Sequence, residues 1–402
     1  MSDGMRVLHL SWEFPPRIIG GIASHVFDLS RALARRGLEV HVMTCNIPGA
    51  RKFENIDGVN VNRFEAYATG DSFLGWALRM QKNMEINSSD LISGTGGFDI
   101  IHAHDWLSSV AGIGMKQVYR KPLITTMHST EYGRRTGIHN DLQASINEIE
   151  GWIVYESWRV ITCSYYMRRH VAWCFHTSEN RISVIPNGVD VTKFSFNFNY
   201  WEVRNRFAHE SEKIILFVGR LVPEKGLDTL INALPAILAN GVNAKLVVVG
   251  EGPQKEMYQG IANNYGLHEK VFFAGHIDDW TLRVLYRVAD VTVVPSKFEP
   301  FGIVALEAMA AHCPLVTTTT GGLNEIVDDG GTGLKVPTDD PNALAGAIVR
   351  IVRDIGFKNY VVENAYRKCL WNFNWDKIAE WTNGVYDAVL NEYANSTWKP
   401  SA

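Results

Sequence analysis

Apolar and polar positions along the first half of the chain alternate in two patterns, one typical of strands and one typical of helices. The run RVLHLSW predicts a strand, and the glycine turn IIGGI leads from it into a helix with apolar residues spaced four, three and four apart. That apolar face comprises Ile22, Val26, Leu29 and Leu33. Further strands are predicted by apolar runs that end in polar residues: LEVHVMTC, FDIIHAH, PLITTMH, RVITCS and RISVIPNGV. Strands that alternate with helices predict a parallel sheet covered on both faces.

The second half of the chain repeats this alternation. The run KIILFVGRL predicts a strand followed by a helix, whose apolar face comprises Leu227, Leu230, Ile231, Leu234 and Leu238. Further strands are predicted by AKLVVVGEGP, VFFAGH, VTVVPS, PLVTTT and GLKVP. Residues 190–213, between the two halves, show no strong period and predict a connection. A last helical stripe comprises Trp375, Ile378, Val385 and Val389.

These patterns predict an α/β protein with two Rossmann-like, doubly wound domains. A chain of 402 residues is longer than one hydrophobic core usually serves. We expect domains at residues 1–195 and 196–372, and a C-terminal helix within residues 373–402 that packs back on the first domain. Because such sheets bind ligands at the carboxyl ends of their strands, we expect the site in a cleft between the two domains.

Composition excludes several classes of function. The net charge of −4 gives no basic field that would favour nucleic acid, and charged residues make up an ordinary 20% of the chain. Five scattered cysteines without a C-x-x-C pair indicate a reducing compartment and argue against a zinc site. No signal peptide and no transmembrane segment is evident. We therefore expect a cytoplasmic protein; the sequence gives no indication of its oligomeric state.

Two glycine-containing turns after strands are candidates for binding a ligand. In GRLVPEKG, Arg220 and Lys225 stand beside a helix N-terminus, where cations and free N–H groups favour a phosphate. The alternative is a surface loop with incidental charges. In IIGGIASHV, Gly21 lets a backbone approach a ligand, or it merely forms a turn. The G-x-G-x-x-G pattern of dinucleotide-binding proteins is absent from this turn.

Histidines near strand ends are the next candidates. His128 follows the strand PLITTM, where it could donate a hydrogen bond or share a proton with a reacting group, or serve a structural role. His102 and His104 lie on one face of a strand, but no third metal ligand is evident beside them. The sequence also contains no D-x-D motif. We therefore predict no metal site.

The segment SKFEPFGIVALEAMAA places two acids, Glu299 and Glu307, with seven residues between them. Pro300 and Gly302 predict a helix that begins near Gly302, with its first N–H groups directed towards the cleft. Paired acid and base catalysis is one interpretation of the two acids. A buried amphipathic helix with a charged flank is the other.

In this order, the motifs G-G, strand-end His, G-R-x-x-x-x-K-G and E-x₇-E resemble the retaining glycosyltransferases of the GT-B fold, that is, glycosyltransferase family 4 and its glycogen-synthase relatives. The resemblance extends from Trp12 to about Trp375 and includes VIPNGVD and GEGP. It implies that residues 1–195 form the acceptor-side domain and residues 196–372 the nucleotide-sugar donor domain. It also implies a metal-independent reaction on one face of the sugar, without a cofactor.

The resemblance assigns roles residue by residue. It implies that Arg220 and Lys225 hold the donor diphosphate, which the Gly21 backbone approaches from the other domain. Glu299 would bind sugar hydroxyls and Glu307 the ribose. The remaining candidates are Phe301 and Gly302, whose N–H groups would help Glu299; Ile303 and Val304, at the phosphates; His128, beside the sugar; and Asn187, near the donor. The catalytic set is then His128, Arg220, Lys225 and Glu299.

Longer segments favour a particular reaction. WEFPPRIIGGIASHV, HSTEYGR and YESWRVITCS resemble glycogen-synthase-type enzymes, which implies glucose transfer from UDP- or ADP-glucose to an α-1,4-glucan. RIIGG lacks the lysine that bacterial glycogen and starch synthases carry in this loop, so the nucleotide stays open. A lipid, small sugar or sugar phosphate is the alternative acceptor. The same fold also hosts epimerases, phosphorylases and binding proteins, although no pyridoxal-phosphate lysine is identifiable.

Overall fold

The computed structural model describes residues 4–66 and 72–399. The described chain divides into two compact units. One unit runs to Gly188 and resumes at Trp375, and the other comprises residues 189–374. Among the described residues, no helix combines the length and apolar character needed to cross a bilayer.

In its described part, the first unit contains an eight-stranded sheet. Its strands are β1 (Arg6–Leu10), β2 (Glu39–Cys45), β3 (Phe53–Ile56), β4 (Val59–Phe64), β5 (Ile100–His104), β6 (Leu123–Met127), β7 (Arg159–Thr162) and β8 (Ile182–Val184). The spatial order is β3-β4-β2-β1-β5-β6-β7-β8, and every pair is parallel except β3 with β4. Val7 in the middle of the sheet pairs with Val40 on one side and with Ile100 on the other.

Helices surround this sheet, as the alternating pattern predicted. They are α1 (Gly21–Arg35), α2 (Phe73–Thr95), α3 (Ser109–Tyr119), α4 (Glu131–Arg135), α5 (Asp141–Glu156) and α6 (Tyr165–Cys174). The predicted apolar face of α1 is buried at Val26, Leu29 and Leu33, and only partly buried at Ile22. Burial of this face against the sheet stabilises α1, since apolar area removed from water contributes about 25 cal/mol per Å².

The helix after residue 374 belongs to this first unit. It spans Trp375–Ala394, and its buried residues Trp375 and Ile378 join the same apolar core as α1. Arg35 at the end of α1 forms a 2.7 Å ion pair with Asp376. The hydroxyl of Tyr386 lies 2.7 Å from Nδ1 of His102 in β5. The last long helix of the described chain therefore completes a core that the first strands began.

The second unit contains a six-stranded sheet in which every described pair is parallel. Its strands are β9 (Lys213–Val218), β10 (Ala244–Val249), β11 (Val271–Gly275), β12 (Val291–Val294), β13 (Leu315–Thr318) and β14 (Leu334–Val336). Their spatial order is β11-β10-β9-β12-β13-β14, and Ile215 of β9 pairs with Leu246 and Val291 on either side. The predicted α/β fold with two parallel sheets is confirmed, apart from the antiparallel edge strand β3.

Eight helices accompany the six strands in the described part of the second unit. They are α7 (Tyr200–Arg204), α8 (Leu227–Ala239), α9 (Lys255–Asn264), α10 (Asp279–Val288), α11 (Ile303–Ala310), α12 (Leu323–Ile326), α13 (Pro341–Arg353) and α14 (Ile355–Asn372); in this numbering the helix Trp375–Ala394 of the first unit is α15. Most of the predicted apolar face of α8 is buried in the core of this unit, and Leu238 at its end packs against that core.

Candidate active site

Two side chains separated by 74 positions in the sequence form an ion pair at the carboxyl end of the second sheet. Lys225 Nζ lies 2.7 Å from Glu299 Oε2, and the Ser296 hydroxyl donates a 3.1 Å hydrogen bond to the same oxygen. The Lys225 and Glu299 side chains are 25% and 12% exposed. Lys225 follows β9 and Glu299 follows β12, which are neighbours in the sheet. The parallel order therefore brings a cation and a carboxylate into a fixed, largely covered pair.

The backbone after β9 is tied closely to the backbone after β12. Gly226, which precedes α8, has a φ of 67°, and a Cβ built there would overlap the carbonyl oxygen of Pro295. The N–H group of Lys297 donates a 2.8 Å hydrogen bond to the carbonyl oxygen of Glu224. Glycine is required at position 226 because of both the left-handed conformation and this close approach. The contacts between the two loops thus fix the backbone position of Lys225 relative to the loop after β12.

The turn that carries Glu299 is supported from the loop after β13. Gly321 has a φ of 52°, and a Cβ at this position would overlap the carbonyl oxygen of Glu299. The N–H group of the next residue, Gly322, donates a 2.9 Å hydrogen bond to that oxygen. The position of Glu299 therefore depends on a glycine pair more than twenty residues downstream, for which the sequence analysis proposed no role.

The helix predicted to begin near Gly302 begins at Ile303. Gly302 precedes it with a φ of 116°, and a Cβ there would lie 2.6 Å from Leu323 Cδ2. Phe301 is buried, whereas Ile303 and Val304 are partly exposed in the first turn. The N–H groups of a first helical turn lack partners within the helix and carry a partial positive charge. This helix start therefore offers donors to an anion on the same side as Lys225.

Glu307 lies in α11, four residues after Ile303, and accepts a hydrogen bond from a tyrosine. The hydroxyl of Tyr286 donates a 2.8 Å hydrogen bond to Glu307 Oε2. Burial raises the pKa of Glu307 to about 7; Tyr286 opposes this rise, whereas nearby Asp279 adds to it. Near neutral pH the side chain therefore changes between an acceptor and a donor, and either form can hydrogen-bond a hydroxyl group.

Glu307→Gln is expected to remove a pH dependence of stability. A carboxyl whose folded pKa is about 7, above its ordinary 4.5, holds a proton in the folded state that the unfolded chain releases. Its contribution to the free energy of unfolding should therefore fall as pH rises from 4.5 to 7, by on the order of 2 kcal/mol. Denaturation midpoints of both proteins across this range measure the difference.

The matched control for this prediction is Glu363→Gln. Glu363 is an exposed acid in α14, paired with Arg367 at 2.8 Å. This variant should follow the wild-type curve at every pH, because an exposed pair of this kind contributes little to stability. If Glu307→Gln also followed the wild-type curve, the raised pKa of Glu307 would be contradicted.

Arg220 is the most exposed of the predicted donor-binding side chains. Its side chain is 58% exposed, and its Nη2 lies 3.5 Å from Glu224 Oε1. The GEGP segment supports its backbone: the Leu221 N–H group donates a 2.9 Å hydrogen bond to the Glu251 carbonyl, and a Cβ at Gly250 would overlap the Gly219 carbonyl oxygen. The structure thus fixes the main chain at Arg220 and leaves its guanidinium accessible to an anion.

The remaining predicted residues, His128, Asn187 and Gly21, belong to the first unit. His128 follows β6 directly, and its backbone N–H group donates a 2.6 Å hydrogen bond to Asp105 Oδ1. Burial lowers the pKa of His128 to about 3, so its imidazole is neutral near pH 7. Asn187 is buried, with its Oδ1 2.7 Å from Nδ1 of His25. Gly21 is the first residue of α1, as the turn IIGGI predicted.

Glu13 organises the glycine turn before α1, a role that the sequence analysis missed. Its Oε2 accepts hydrogen bonds from the N–H groups of Ile19 at 2.7 Å and Gly20 at 2.9 Å. Burial raises the pKa of Glu13, and the two N–H donors partly oppose this rise. A buried acid shortly before a glycine turn was the available signal. Glu13 occupies donors next to Gly21, the residue for which a ligand contact was predicted.

Both units of the chain match models of glycosyltransferase families. The family model described as glycosyl transferases group 1 matches residues 199–368, and that described as glycosyltransferase family 4 matches residues 19–193. An uncharacterized glycosyltransferase of Methanocaldococcus jannaschii is 40% identical, covering 96% of this chain and 99% of the relative. Glycogen synthase of Mycobacterium tuberculosis is 34% identical, covering 96% and 95%. Sucrose-phosphate synthase from Thermosynechococcus elongatus is similar in structure, with a TM-score of 0.80 and 26% identity, covering 96% and 100%.

Proposed function

The chain belongs to the GT-B glycosyltransferases matched by these family models, and on this premise we propose that it transfers glucose from UDP- or ADP-glucose to an α-1,4-glucan with retention of configuration. The observation that carries the proposal is the Lys225–Glu299 pair beside the start of α11. A diphosphate needs cations and N–H donors, and a sugar needs fixed hydrogen-bonding groups. This part of the second unit supplies both.

Lys225 and Arg220 provide the positive charge in this proposal. Because the leaving group is a diphosphate, the transition state gains negative charge, and preorganised cations stabilise it more than they stabilise the bound donor. Glu299 holds the Lys225 ammonium in place before the donor binds. With the donor bound, Glu299 accepts hydrogen bonds from sugar hydroxyls, and the N–H groups of Phe301 and Gly302 assist it. The positive end of α11, at Ile303 and Val304, lies against the phosphates.

Glu307 binds the nucleotide part of the donor in this proposal. Four residues along a helix correspond to about 6 Å, so Glu307 is set back from the helix start by roughly the length of one helical turn. That separation suits a ligand with phosphate at the helix start and ribose beside the helix. The two acids of SKFEPFGIVALEAMAA thus bind different halves of one donor, and neither is required to transfer a proton.

The bond changes in the proposed reaction balance without a cofactor. The bond between sugar C1 and the phosphate oxygen breaks, and an acceptor hydroxyl forms the new C1–O bond on the same face. The acceptor's proton passes to the leaving diphosphate. His128 lies beside the sugar in this proposal, and its neutral imidazole can hydrogen-bond a sugar hydroxyl. Asn187 and the backbone at Gly21 are the further donor contacts that we propose.

A sugar phosphate is the second candidate acceptor. The observation in its favour is the structural similarity to sucrose-phosphate synthase across the whole of that chain. Glucan is preferred because the glycogen synthase relative has the higher sequence identity over a similar share of this chain. The acid pair and the cations of the second unit serve the donor in both cases, so they do not distinguish these acceptors.

A screen of donors against acceptors tests the proposal. UDP-glucose and ADP-glucose are each incubated with glycogen, maltose, fructose 6-phosphate or no acceptor, and released nucleoside diphosphate is measured. We expect release with glycogen or maltose only, and a product whose new linkage is α by NMR. Release with fructose 6-phosphate alone would replace the glucan by a sugar phosphate. An epimerised donor without acceptor, or no release in any mixture, would contradict glycosyl transfer from these donors.

A further inference from the structure

Five histidines lie together in the core of the first unit. His9 in β1, His102 and His104 in β5, and His25 in α1 are buried, and His128 after β6 is partly exposed. Their rings are in contact: the centroids of His25 and His128 are 4.6 Å apart and those of His102 and His104 are 4.4 Å apart. Burial lowers the pKa of all five, so each imidazole is neutral near pH 7.

His25 presents one ring nitrogen without a hydrogen-bond partner. Its Nδ1 lies 2.7 Å from Oδ1 of Asn187, and a carbonyl oxygen can only accept, so the proton of the neutral ring is on Nδ1. Its Nε2 therefore carries a lone pair, and this buried atom has no partner among the described residues. An oriented imidazole whose other nitrogen is held by an oxygen acceptor is the usual arrangement of a metal-ligating histidine.

His104 connects the neighbouring rings of the cluster. Its Nε2 lies 2.9 Å from Nδ1 of His9, and its Nδ1 lies 3.3 Å from Nε2 of His128. When His104 donates from Nε2 to His9, its Nδ1 carries a lone pair directed towards His128. His102 differs, because both of its nitrogens are bound, one to Tyr386 and the other to Thr126.

We propose that His25 Nε2, His104 Nδ1 and His128 Nε2 bind one divalent transition-metal ion, with zinc as the favoured class. These three residues form a group whose candidate ligand atoms all lie within 4.8 Å of one another. Two nitrogens at about 2.0–2.1 Å from a tetrahedral zinc ion are about 3.3 Å apart, which is the His104–His128 separation. Three neutral imidazoles with an open fourth position form a known type of zinc site.

The proton balance of binding is simple. In the metal-free protein, Nε2–H of His128 donates to Nδ1 of His104. His104 is then already in the tautomer that binds a metal through Nδ1. Binding replaces that hydrogen bond by two metal–nitrogen bonds, and the His128 proton moves from Nε2 to Nδ1, so the imidazole stays neutral. The partial exposure of His128 gives the ion a side from which to enter. The prediction of no metal site rested on the missing third ligand beside His102 and His104.

The three histidine nitrogens define this site without reference to the proposed glucosyl transfer, so each proposal can fail while the other stands. The metal would engage the histidine proposed to lie beside the donor sugar. We therefore expect a bound ion to compete with that contact and to lower activity rather than support it.

Titration with Co²⁺ tests the proposal on the wild-type protein. Four-coordinate Co²⁺ absorbs visible light far more strongly than six-coordinate Co²⁺, so the spectrum reports the geometry directly. We expect one equivalent to give the strong four-coordinate spectrum, and one equivalent of Zn²⁺ to abolish it. A weak six-coordinate spectrum, or no binding at micromolar Co²⁺, would overturn the proposal without any variant.

Variants then locate the ion. His25→Ala should lose the four-coordinate spectrum, and Asn187→Ala, which frees the His25 ring, should weaken binding about 10–100-fold. The control His268→Ala removes an exposed histidine of the second unit and should leave the spectrum and the affinity unchanged. Circular dichroism checks that each variant is folded. An unchanged spectrum in folded His25→Ala and Asn187→Ala would place the ion elsewhere and overturn this assignment.

Discussion

Lys225→Ala is expected to lower the turnover number of the proposed transfer about 100-fold or more. The ammonium of Lys225 is held 2.7 Å from Glu299 in a largely covered position, so in the proposed reaction it would stabilise the leaving diphosphate without first being ordered. Removing one preorganised donor of developing charge typically costs about 10²–10³ in rate. The measurement is initial-rate kinetics with saturating donor, which separates turnover from donor affinity.

Lys270→Ala is a closely matched control for this prediction. Lys270 forms a 2.7 Å ion pair with Glu212 in the same unit, with side chains 30% and 11% exposed, close to the values of the Lys225–Glu299 pair. The loss of a half-buried lysine pair is therefore common to both variants, and only one of them lies in the candidate site. Turnover in Lys270→Ala should stay within about twofold of wild type. Equal effects in the two variants would assign Lys225 to stability and not to catalysis.

Gly321→Ala is expected to destabilise the second unit and to reduce activity even where the protein stays folded. The residue has a left-handed backbone conformation, which costs a non-glycine residue about 1–2 kcal/mol. An alanine Cβ would also overlap the carbonyl oxygen of Glu299, so the turn that carries this acid must move. We expect the free energy of unfolding to fall by at least about 2 kcal/mol, measured by chemical denaturation. Donor affinity should fall with it under conditions where both proteins are folded.

Gly346→Ala is the control, with an effect of opposite sign. Gly346 lies within α13, has no heavy atom within 4 Å of a Cβ built on it, and does not have a left-handed conformation. Alanine in a helix interior is favoured over glycine by about 0.5–1 kcal/mol, so this variant should be slightly stabilised and fully active. A Gly321→Ala protein as stable and active as this control would show that the Glu299 turn tolerates a side chain.

Much of the fold could be predicted because periodicity is a local property. The apolar runs located most of the strands, and the spacing of Val26, Leu29 and Leu33 gave α1. Strands β3 and β4 were both missed, although Asp57 and Gly58, with φ of 48° and 89°, form the two-residue turn between them that a D-G pair favours. The signal was present, but FENI alternates too briefly to stand out from a loop.

The candidate site was only partly predictable, because its geometry depends on strand order. Lys225 and Glu299 were predicted separately, Lys225 as a ligand of the phosphate and, from the family resemblance, Glu299 as a ligand of the sugar. Their direct pairing follows from the adjacency of β9 and β12, which are separated along the chain by two other strands. Gly321 has its role for the same reason, since the loop after β13 reaches the neighbouring turn.

The histidine cluster shows the same limit. The sequence showed no third ligand beside His102 and His104, because the other histidines of the cluster come from three distant segments of the chain. His9, His25 and His128 meet them only because β1, β5 and β6 are adjacent and α1 follows β1 closely. Spacing within a motif finds ligands on one strand or helix, whereas a site assembled across a sheet requires its topology.

The position of α15 in the core of the first unit has a consequence for synthesis on the ribosome. Every residue of the second unit is translated before Trp375, Ile378 and Tyr386, which the first unit needs for its core. At about 5–20 residues per second, the roughly 190 intervening residues take about 10–40 seconds. The first unit therefore starts to emerge earliest yet acquires its full core last, and its unfinished apolar face is available to chaperones throughout that interval.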